Sequence, residues 1–362
     1  MKVASYIRDL VPYPPGKPIE ELKRELGLKN VVKMASNENP IGPSPLAVQA
    51  IKDSLNKINF YPDGSGYYLR KRLAQEMNVK MENIVLGNGS NEIIELLNRT
   101  FLTAEDDEVI LSFPSFSVYR IVAQAMGAKK IEVPLKDYRH NLREIKNKIN
   151  KNTRLVFIDI PNNPTGTIVY EDELSEFIDG IDDGCLIILD EAYFGYNTDK
   201  DYPDILSFFR NNKNVFVLRT FAKLYGLAGL RIGYGIGDEE IVDYLNRVRQ
   251  PFNVNSLAQA GARAALDDKK HVKQTLKTNR RGKEFLYKAF EDMDIEYILT
   301  HANYILFDVK QDAEEIYNKL LHKGVIIRLM KGYGYETHLR VTVGTEDQNG
   351  KFIDCLREVM GV

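Results

Sequence analysis

Lys223 stands in "RTFAKLYGLAGLR" (residues 219–231), directly behind the apolar run Val215-Phe216-Val217-Leu218 and eight positions before Arg231. Lysine rarely keeps apolar company without a partner. Such a lysine either snorkels to water from a core-side turn or, desolvated, becomes a nucleophilic amine able to form Schiff bases. Asp190 closes the apolar run "CLIILD", with Tyr193 three residues on. An acid there caps the next helix, or it faces a protonated ring nitrogen. In the second case the attraction is ~4 kcal/mol at ~4 Å and an effective dielectric of ~20, roughly three pKa units. "PNNPTG" comes directly after "RLVFIDI". Its prolines and glycine read as a rigid turn, which leaves the two consecutive Asn unexplained. "GNGSNEII" offers either a tight turn with Ser90 or Asn91 as N-cap, or backbone N–H groups at a helix N-terminus that hold an anion.

The elements that must position these residues are legible from about residue 41 onward. Short apolar strands ("NIVLG", "EVILS", "KKIEVPL", "RLVFIDI", "CLIILD", "NVFVLRT", "LRIGYGIG") alternate with amphipathic helical patterns. In "NEIIELLNRTFL", Ile93, Ile94, Leu97 and Phe101 share one helix face. Near-continuous Val/Ile/Leu strands alternating with helices predict an α/β fold whose mostly parallel sheet is covered on both faces. Residues 1–40 read as an arm, with the Pro-rich "VPYPPGKP" extended. After residue 265 the rhythm changes. A polar helix (268–291) leads into "IEYILT", "NYILFDV", a helix, "VIIRLM", "HLRVTVG" and a last helix, the pattern of a smaller α+β domain. The expected division is therefore an arm at 1–40, a large domain at 41–265 and a small domain at 266–362.

Composition removes several function classes. A formal net charge of -2 over 362 residues makes no electrostatic case for nucleic acid or a membrane surface. The basic run "KTNRRGK" reads as a solvated helix face. The two cysteines, Cys185 and Cys355, form no metal spacing or CxxC, which predicts a reducing, cytoplasmic setting and no metal. The first residues lack the apolar h-region of a signal peptide, and no stretch approaches the ~18 apolar residues of a membrane span.

Ligands of open α/β sheets bind at the carboxyl ends of the strands. Four strand ends here carry an anion cradle, an amide, a carboxylate with a tyrosine, and a lysine followed by an arginine. That is the set pyridoxal phosphate requires: a cradle and cation for its phosphate, a carboxylate for its ring nitrogen, donors for its phenolate oxygen and an amine for its aldehyde. An NAD-dependent dehydrogenase would use the glycines. It leaves Lys223 and Asp190 idle, and Glu92 stands where the third glycine of the dinucleotide fingerprint belongs. A non-catalytic binding protein on the same fold need not keep the lysine.

The runs "ASNENPIGPSP", "FYPDGSGYYLR", "GNGSNEIIEL", "PNNPTG", "DEAY", "LAGLRIGYGIG" and "LRVTVGT" together resemble fold-type I pyridoxal-phosphate enzymes, and specifically the histidinol-phosphate aminotransferase family, over essentially the whole chain. The resemblance implies that Lys223 bonds the cofactor's aldehyde and then moves the proton at the reacting carbon. It implies that Asp190 pairs with the ring nitrogen, that Asn163 and Tyr193 donate to O3′, and that Gly89, Ser90, Asn91 and Arg231 hold the phosphate. Phe116 would stack on the ring. Tyr61 would reach the phosphate of a neighbouring subunit, implying a homodimer with shared active sites. Arg340 would meet the substrate's anionic group, with Arg328, Tyr13 and Asn37 lining the substrate pocket. On alternation alone, Arg340 and Thr342 would be a solvated strand face.

The chain departs from the family at one position. The family's serine before the lysine is Ala222 in this chain, and Thr220 is the hydroxyl expected to replace it at the phosphate. The implied reaction is ping-pong transamination between L-glutamate and imidazole-acetol phosphate, giving L-histidinol phosphate in histidine biosynthesis. An aromatic amino acid aminotransferase and a threonine-phosphate decarboxylase are the alternatives on the same fold.

Overall fold

The computed structural model describes residues 2–104, 106–182, 184–197, 200 and 202–362. Its strands in chain order are β1 (Val32–Lys33), β2 (Ile84–Gly87), β3 (Glu108–Phe113), β4 (Lys129–Pro134), β5 (Thr153–Asp159), β6 (Leu186–Asp190), β7 (Val215–Thr220) and β8 (Gly233–Ile236). The later ones are β9 (Glu296–Tyr297), β10 (Tyr304–Asp308), β11 (Val325–Ile326), β12 (Arg328–Leu329) and β13 (His338–Thr342). Strands β2–β8 form one sheet in the order β2-β8-β7-β6-β5-β3-β4. Pairing is parallel from β4 through β7, and β8 alone runs against its neighbours.

Side chains of a strand alternate between faces, so a strand covered on both sides must be apolar at every position. The central strands show it. Val156, Ile158, Ile187, Leu189, Val215 and Val217 pack into one core, whereas Leu155, Phe157, Leu186, Ile188, Phe216 and Leu218 pack into another on the opposite face. Helix Ser90–Phe101 contributes Ile93, Ile94 and Leu97 to the second. Each such side chain, fully buried, is worth about 1.5–3 kcal/mol. The polar residues at the strand ends are held against that rigid base.

A second sheet, β12-β13-β10-β9, is antiparallel and packs against helices Lys269–Asp292, Ala313–His322 and Glu346–Met360 around Phe290, Phe307 and Phe352. β1 pairs with β11, so residues 32–33 join the chain's last third. Three local features differ from expectation. "VIIRLM" is two short strands in two sheets, because Val325 and Ile327 face the core of the second sheet while Ile326 packs against Leu22 and Ala35. "IEYILT" pairs only at Glu296–Tyr297. The arm has no helix or strand over 11–18 but carries helices Ser5–Arg8 and Ile19–Leu26, the latter ended by Gly27 in the left-handed region (φ 67). Among the described residues no helix is long and apolar enough to cross a membrane, and no cluster of His, Cys, Asp and Glu could hold a metal ion.

The reversal from β7 to β8 carries Lys223. It is pinned by the Gly226 N–H donating to the Lys223 carbonyl (3.1 Å) and the Leu227 N–H to the Phe221 carbonyl (3.1 Å). Gly226 has φ +70, and a Cβ there would lie 2.2 Å from the Gly42 carbonyl oxygen. Both left-handed strain and collision with backbone oppose a side chain. Gly226→Ala is expected to destabilise the protein by about 2 kcal/mol or more, read as a lower midpoint in urea unfolding. An unchanged midpoint would show that the loop yields freely.

Candidate active site

One cavity of about 300 Å³ opens where β5, β6 and β7 end. Lys223 lines it, and its Nζ donates to the Ser36 carbonyl at 3.0 Å and lies 5.8 Å from the Tyr193 ring centroid. Burial, with the charges of Arg340 and Arg231 adding to it against Glu38, lowers the ammonium's pKa to about 8. At that pH half of the lysine is the free amine, against less than about 1% for an ordinary lysine. Its amine thus lies in the cavity on a backbone carbonyl and does not reach outward as a snorkelling side chain would.

Asp190 is buried at the end of β6. Its Oδ2 accepts from the Tyr119 hydroxyl at 2.7 Å and its Oδ1 from the Ala192 N–H at 2.9 Å, which fixes the carboxyl plane. Burial pushes its pKa up to about 7. The two donors oppose that rise, and the nearby Asp159 and Glu191 reinforce it. The carboxyl thus sits at the edge of ionisation, and a cation brought against it would drive it fully charged.

Tyr193 is held by two amides. Asn37 Nδ2 donates to its hydroxyl at 2.8 Å and Asn163 Nδ2 at 3.3 Å. With both lone pairs taken, the phenol's own proton remains for an acceptor in the cavity. Burial also holds that phenol above its ordinary pKa, so it stays a donor. Asn37 adopts φ 55 and is locked to β13 through Thr342, whose Oγ1 accepts the Asn37 N–H at 2.9 Å. Arg340 is not on a solvated face; it is 5% exposed, and Thr342 is likewise buried. Its Nη1 donates to Asn163 Oδ1 and its Nη2 to the Ala35 carbonyl (3.1 Å), while the Tyr304 ring lies 4.8 Å away. Its Nε is buried without a partner. The alternation along β13 holds, but the face expected to meet water is covered by segment 34–37.

At the far end, helix Ser90–Phe101 begins without any side-chain cap, leaving its first N–H groups open toward Ser90 and Asn91. Gly89 (φ 78) precedes it, and a Cβ there would sit 2.5 Å from Arg231 Nη2. A glycine is what lets the guanidinium close on this helix end. Thr220 and Ala222 line the same wall. The Thr220 hydroxyl accepts the Ala222 N–H at 3.1 Å and reaches the Ile232 carbonyl only at 3.4 Å, so its proton is weakly engaged. On the opposite side Arg328 donates to the Pro14 carbonyl (2.9 Å) with the Tyr13 ring 5.5 Å away, tying the arm to the cavity mouth. Phe116 lines the cavity edge-on to Tyr119 at 5.5 Å. Of the expected residues only Tyr61 is remote from the lining. It is 83% exposed and stacked on Phe252 at 4.8 Å.

A family model described as aminotransferase class I and II matches residues 29–356. A histidinol-phosphate aminotransferase from Moorella thermoacetica is 49% identical over 360 residues, 99% of this chain and 93% of that protein. One from Caldicellulosiruptor saccharolyticus is 48% identical over 98% of this chain and 99% of its own. The chain belongs to the histidinol-phosphate aminotransferase family, within the class I and II aminotransferases. The fold agrees. A crystal structure of histidinol-phosphate aminotransferase from Sinorhizobium meliloti in complex with pyridoxal-5′-phosphate superposes with a TM-score of 0.90 at 24% identity, covering 99% of this chain and 98% of that one. The architecture is that of fold-type I aminotransferases.

Residues of this aminotransferase that the sequence did not disclose are those acting from behind. Tyr119 lies one helical turn after Phe116, a spacing that hints at a shared face but not at Asp190 as its partner. Asp159 lines the cavity from the end of β5, directly beside Asp190 in the strand register. Ser36 contributes only a carbonyl, which no side-chain pattern betrays.

The raised Asp190 has a consequence for the cofactor-free enzyme. Its folded pKa (about 7) exceeds the unfolded value (about 4), so between them the folded state binds more protons and stability falls as pH rises. The penalty is complete above pH 7 and absent below pH 4. Cofactor-free Asp190→Asn is therefore expected to melt higher than wild type at pH 8 and no higher at pH 4. Equal melting temperatures at pH 8 would contradict the buried, uncompensated carboxyl.

Proposed function

We propose that this chain transfers an amino group between L-glutamate and imidazole-acetol phosphate, giving 2-oxoglutarate and L-histidinol phosphate, with pyridoxal 5′-phosphate as its cofactor. The observation that carries the reading is the buried Arg340 with its unpartnered Nε, set in one cavity with Lys223 and Asp190. A buried guanidinium without a carboxylate is costly unless an anion arrives. The relatives at 48–49% identity are named histidinol-phosphate aminotransferases, which supports the histidinol phosphate side of the reaction.

The residues fit the cofactor. An uncapped helix end, a glycine that admits Arg231 and the loosely engaged Thr220 hydroxyl suit a phosphate. Asp190 suits a protonated ring nitrogen, Tyr193 and the second Asn163 amide proton suit O3′, and Phe116 suits the ring face. When bound, pyridoxal phosphate supplies an electron sink for charge developing at the substrate's α-carbon. Lys223, neutral in part near pH 8, would hold the cofactor through its aldehyde and would serve as the base that takes the substrate's α-proton and returns it as an acid. Asp190 would keep the ring nitrogen protonated, so that the sink stays effective. Arg340 binds the substrate's anionic group, and Arg328 supplies a second cation for a phosphate-bearing substrate. Tyr13 and Asn37 shape the pocket between them.

The enzyme acts as a homodimer with shared sites. Support comes from Leu46, Leu55, Ile58, Phe60, Tyr61 and Tyr68, large apolar side chains left exposed along one stretch of the chain, and from exposed Phe252 stacked on Tyr61. In such a dimer Tyr61 serves the phosphate of the partner. Residues 41–265 form the cofactor domain and 266–362 the small domain, with the arm at 1–40 bridging to the latter. The two free cysteines suit a cytoplasmic enzyme of histidine biosynthesis.

The purified protein should be yellow, Lys223→Ala should lack that band, and L-histidinol phosphate should bleach the wild type. Lys223→Ala should also lose at least about a thousandfold in kcat. A yellow enzyme indifferent to histidinol phosphate but bleached by phenylalanine or tyrosine would transfer the reading to aromatic substrates. A colourless protein that cannot be reconstituted would overturn it. Thr220→Val should weaken cofactor binding about tenfold or more by equilibrium dialysis, as expected for a lost hydrogen bond to a charged group. Unchanged affinity would remove Thr220 from the phosphate site.

A further inference from the structure

Asp159 is a buried carboxylate in the cavity for which the proposed reaction has no use. Its surroundings say what it holds. Oδ2 accepts the Asn163 N–H at 2.7 Å, and Oδ1 accepts Asn162 Nδ2 at 3.2 Å. His140 Nε2 lies 3.2 Å from Oδ1 and 2.9 Å from the Asp159 carbonyl oxygen. Facing two oxygens, that nitrogen must carry a proton, while Nδ1 lies 2.7 Å from the Ser112 hydroxyl. Ser112 thereby holds the His140 ring, and His140 holds the carboxylate. Ser112, His140, Asp159 and Asn163 are all less than 9% exposed.

The turn after β5 is built on this carboxylate. Asn162, held by Asp159, accepts both the N–H (3.2 Å) and the hydroxyl (2.8 Å) of Thr165, and its carbonyl accepts the Tyr304 hydroxyl at 2.6 Å. Asn163 is left with its side chain projecting into the cavity, Nδ2 on Tyr193 and Oδ1 on Arg340. Among the described residues the guanidinium has two acceptors, and Asn163 is one of them. An unbroken series of hydrogen bonds therefore runs from Ser112 through His140, Asp159 and Asn163 to Arg340.

We propose that Asp159, backed by His140, is a positioning residue for substrate recognition: it fixes Asn163 so that Arg340 presents its free edge to the substrate's anionic group. This inference rests on the aminotransferase reading above. It predicts a particular pattern, because the anchor is a hydrogen-bond acceptor and not a charge. Asp159→Ala should raise KM for both L-glutamate and L-histidinol phosphate by about tenfold or more while kcat changes less. Asp159→Asn keeps an oxygen for the Asn163 N–H. The His140 Nε2 proton keeps the backbone carbonyl of residue 159 as its acceptor, so KM should return to within about threefold of wild type.

The experiment measures these KM values together with calorimetric binding of maleate, an unreactive dicarboxylate, to the cofactor-loaded enzyme. Maleate should lose about tenfold or more in affinity for Asp159→Ala and recover in Asp159→Asn. Should the alanine variant fail to fold, Asp159→Ser carries the same expectation, since its hydroxyl falls a bond short of the Asn163 N–H. Unchanged KM and maleate affinity in the truncated variant would overturn the proposal. So would an Asp159→Asn no better than the truncation, or a loss confined to kcat. A wild type that neither turns over histidinol phosphate nor binds maleate would instead sink the aminotransferase reading itself.

Discussion

Charge is buried at the ends of three parallel strands, and the remainder of the molecule is arranged to tolerate it. Lys223, Arg340, Arg231 and Arg328 line one cavity, against the carboxylates Asp159 and Asp190. Arg340, Asp159 and Asp190 are buried, and out of water such groups interact several times more strongly than at a surface. The protein leaves the imbalance standing. Arg340 has a bare Nε, Lys223 sits near neutrality and Asp190 is pushed toward it. Each is strained in the direction that a ligand with two anionic groups and one cationic ring would relieve. Affinity, protonation state and reactivity are therefore one electrostatic problem, solved by the incoming molecules.

Such an imbalance needs a frame that will not collapse around it. The doubly covered sheet supplies one, because alternate residues of β5, β6 and β7 feed two separate cores. Behind the site lies a compensated pair. Glu191 and Arg219 are both buried, with Arg219 Nη2 2.7 Å and Nε 2.8 Å from Glu191 Oε2. Tyr202 donates to the other oxygen of Glu191 at 2.9 Å, and Phe194 covers the guanidinium at 4.2 Å. Glu191 is the neighbour of Asp190 in the chain, and Arg219 the neighbour of Thr220, yet both point to the other face. The strand ends thus carry satisfied charge on one side and unsatisfied charge on the other.

Legibility in the sequence depended on range. The seven-stranded core, its strand positions and the residues at the strand ends are encoded locally, by periodicity and by the residues that close each apolar run. Lys223, Asp190 and Asn163 could be singled out for that reason. Failures began wherever a distant segment decides. Arg340 reads as solvated because the segment that buries it lies some three hundred residues earlier in the chain, and "VIIRLM" reads as one strand because its two partners lie in different sheets. Tyr119, Asp159 and His140 are ordinary side chains whose role exists only through their partners. No spacing announces a hydrogen bond between residues 19 positions apart.

The division between the local and the distant has a chemical logic. Groups proposed to meet the cofactor sit largely on strand ends, where the backbone fixes their position. The group proposed to meet the substrate, Arg340, comes from β13 and is aimed by Asn163 and by the Ala35 carbonyl. An arginine aimed by two separately anchored segments reports their relative position. Any shift of segment 34–37, which also holds the Lys223 amine through Ser36, therefore moves the nucleophile's resting partner and the substrate's anchor together. In the proposed reaction, recognition of the anionic group and release of the lysine would be coupled through one short stretch of backbone.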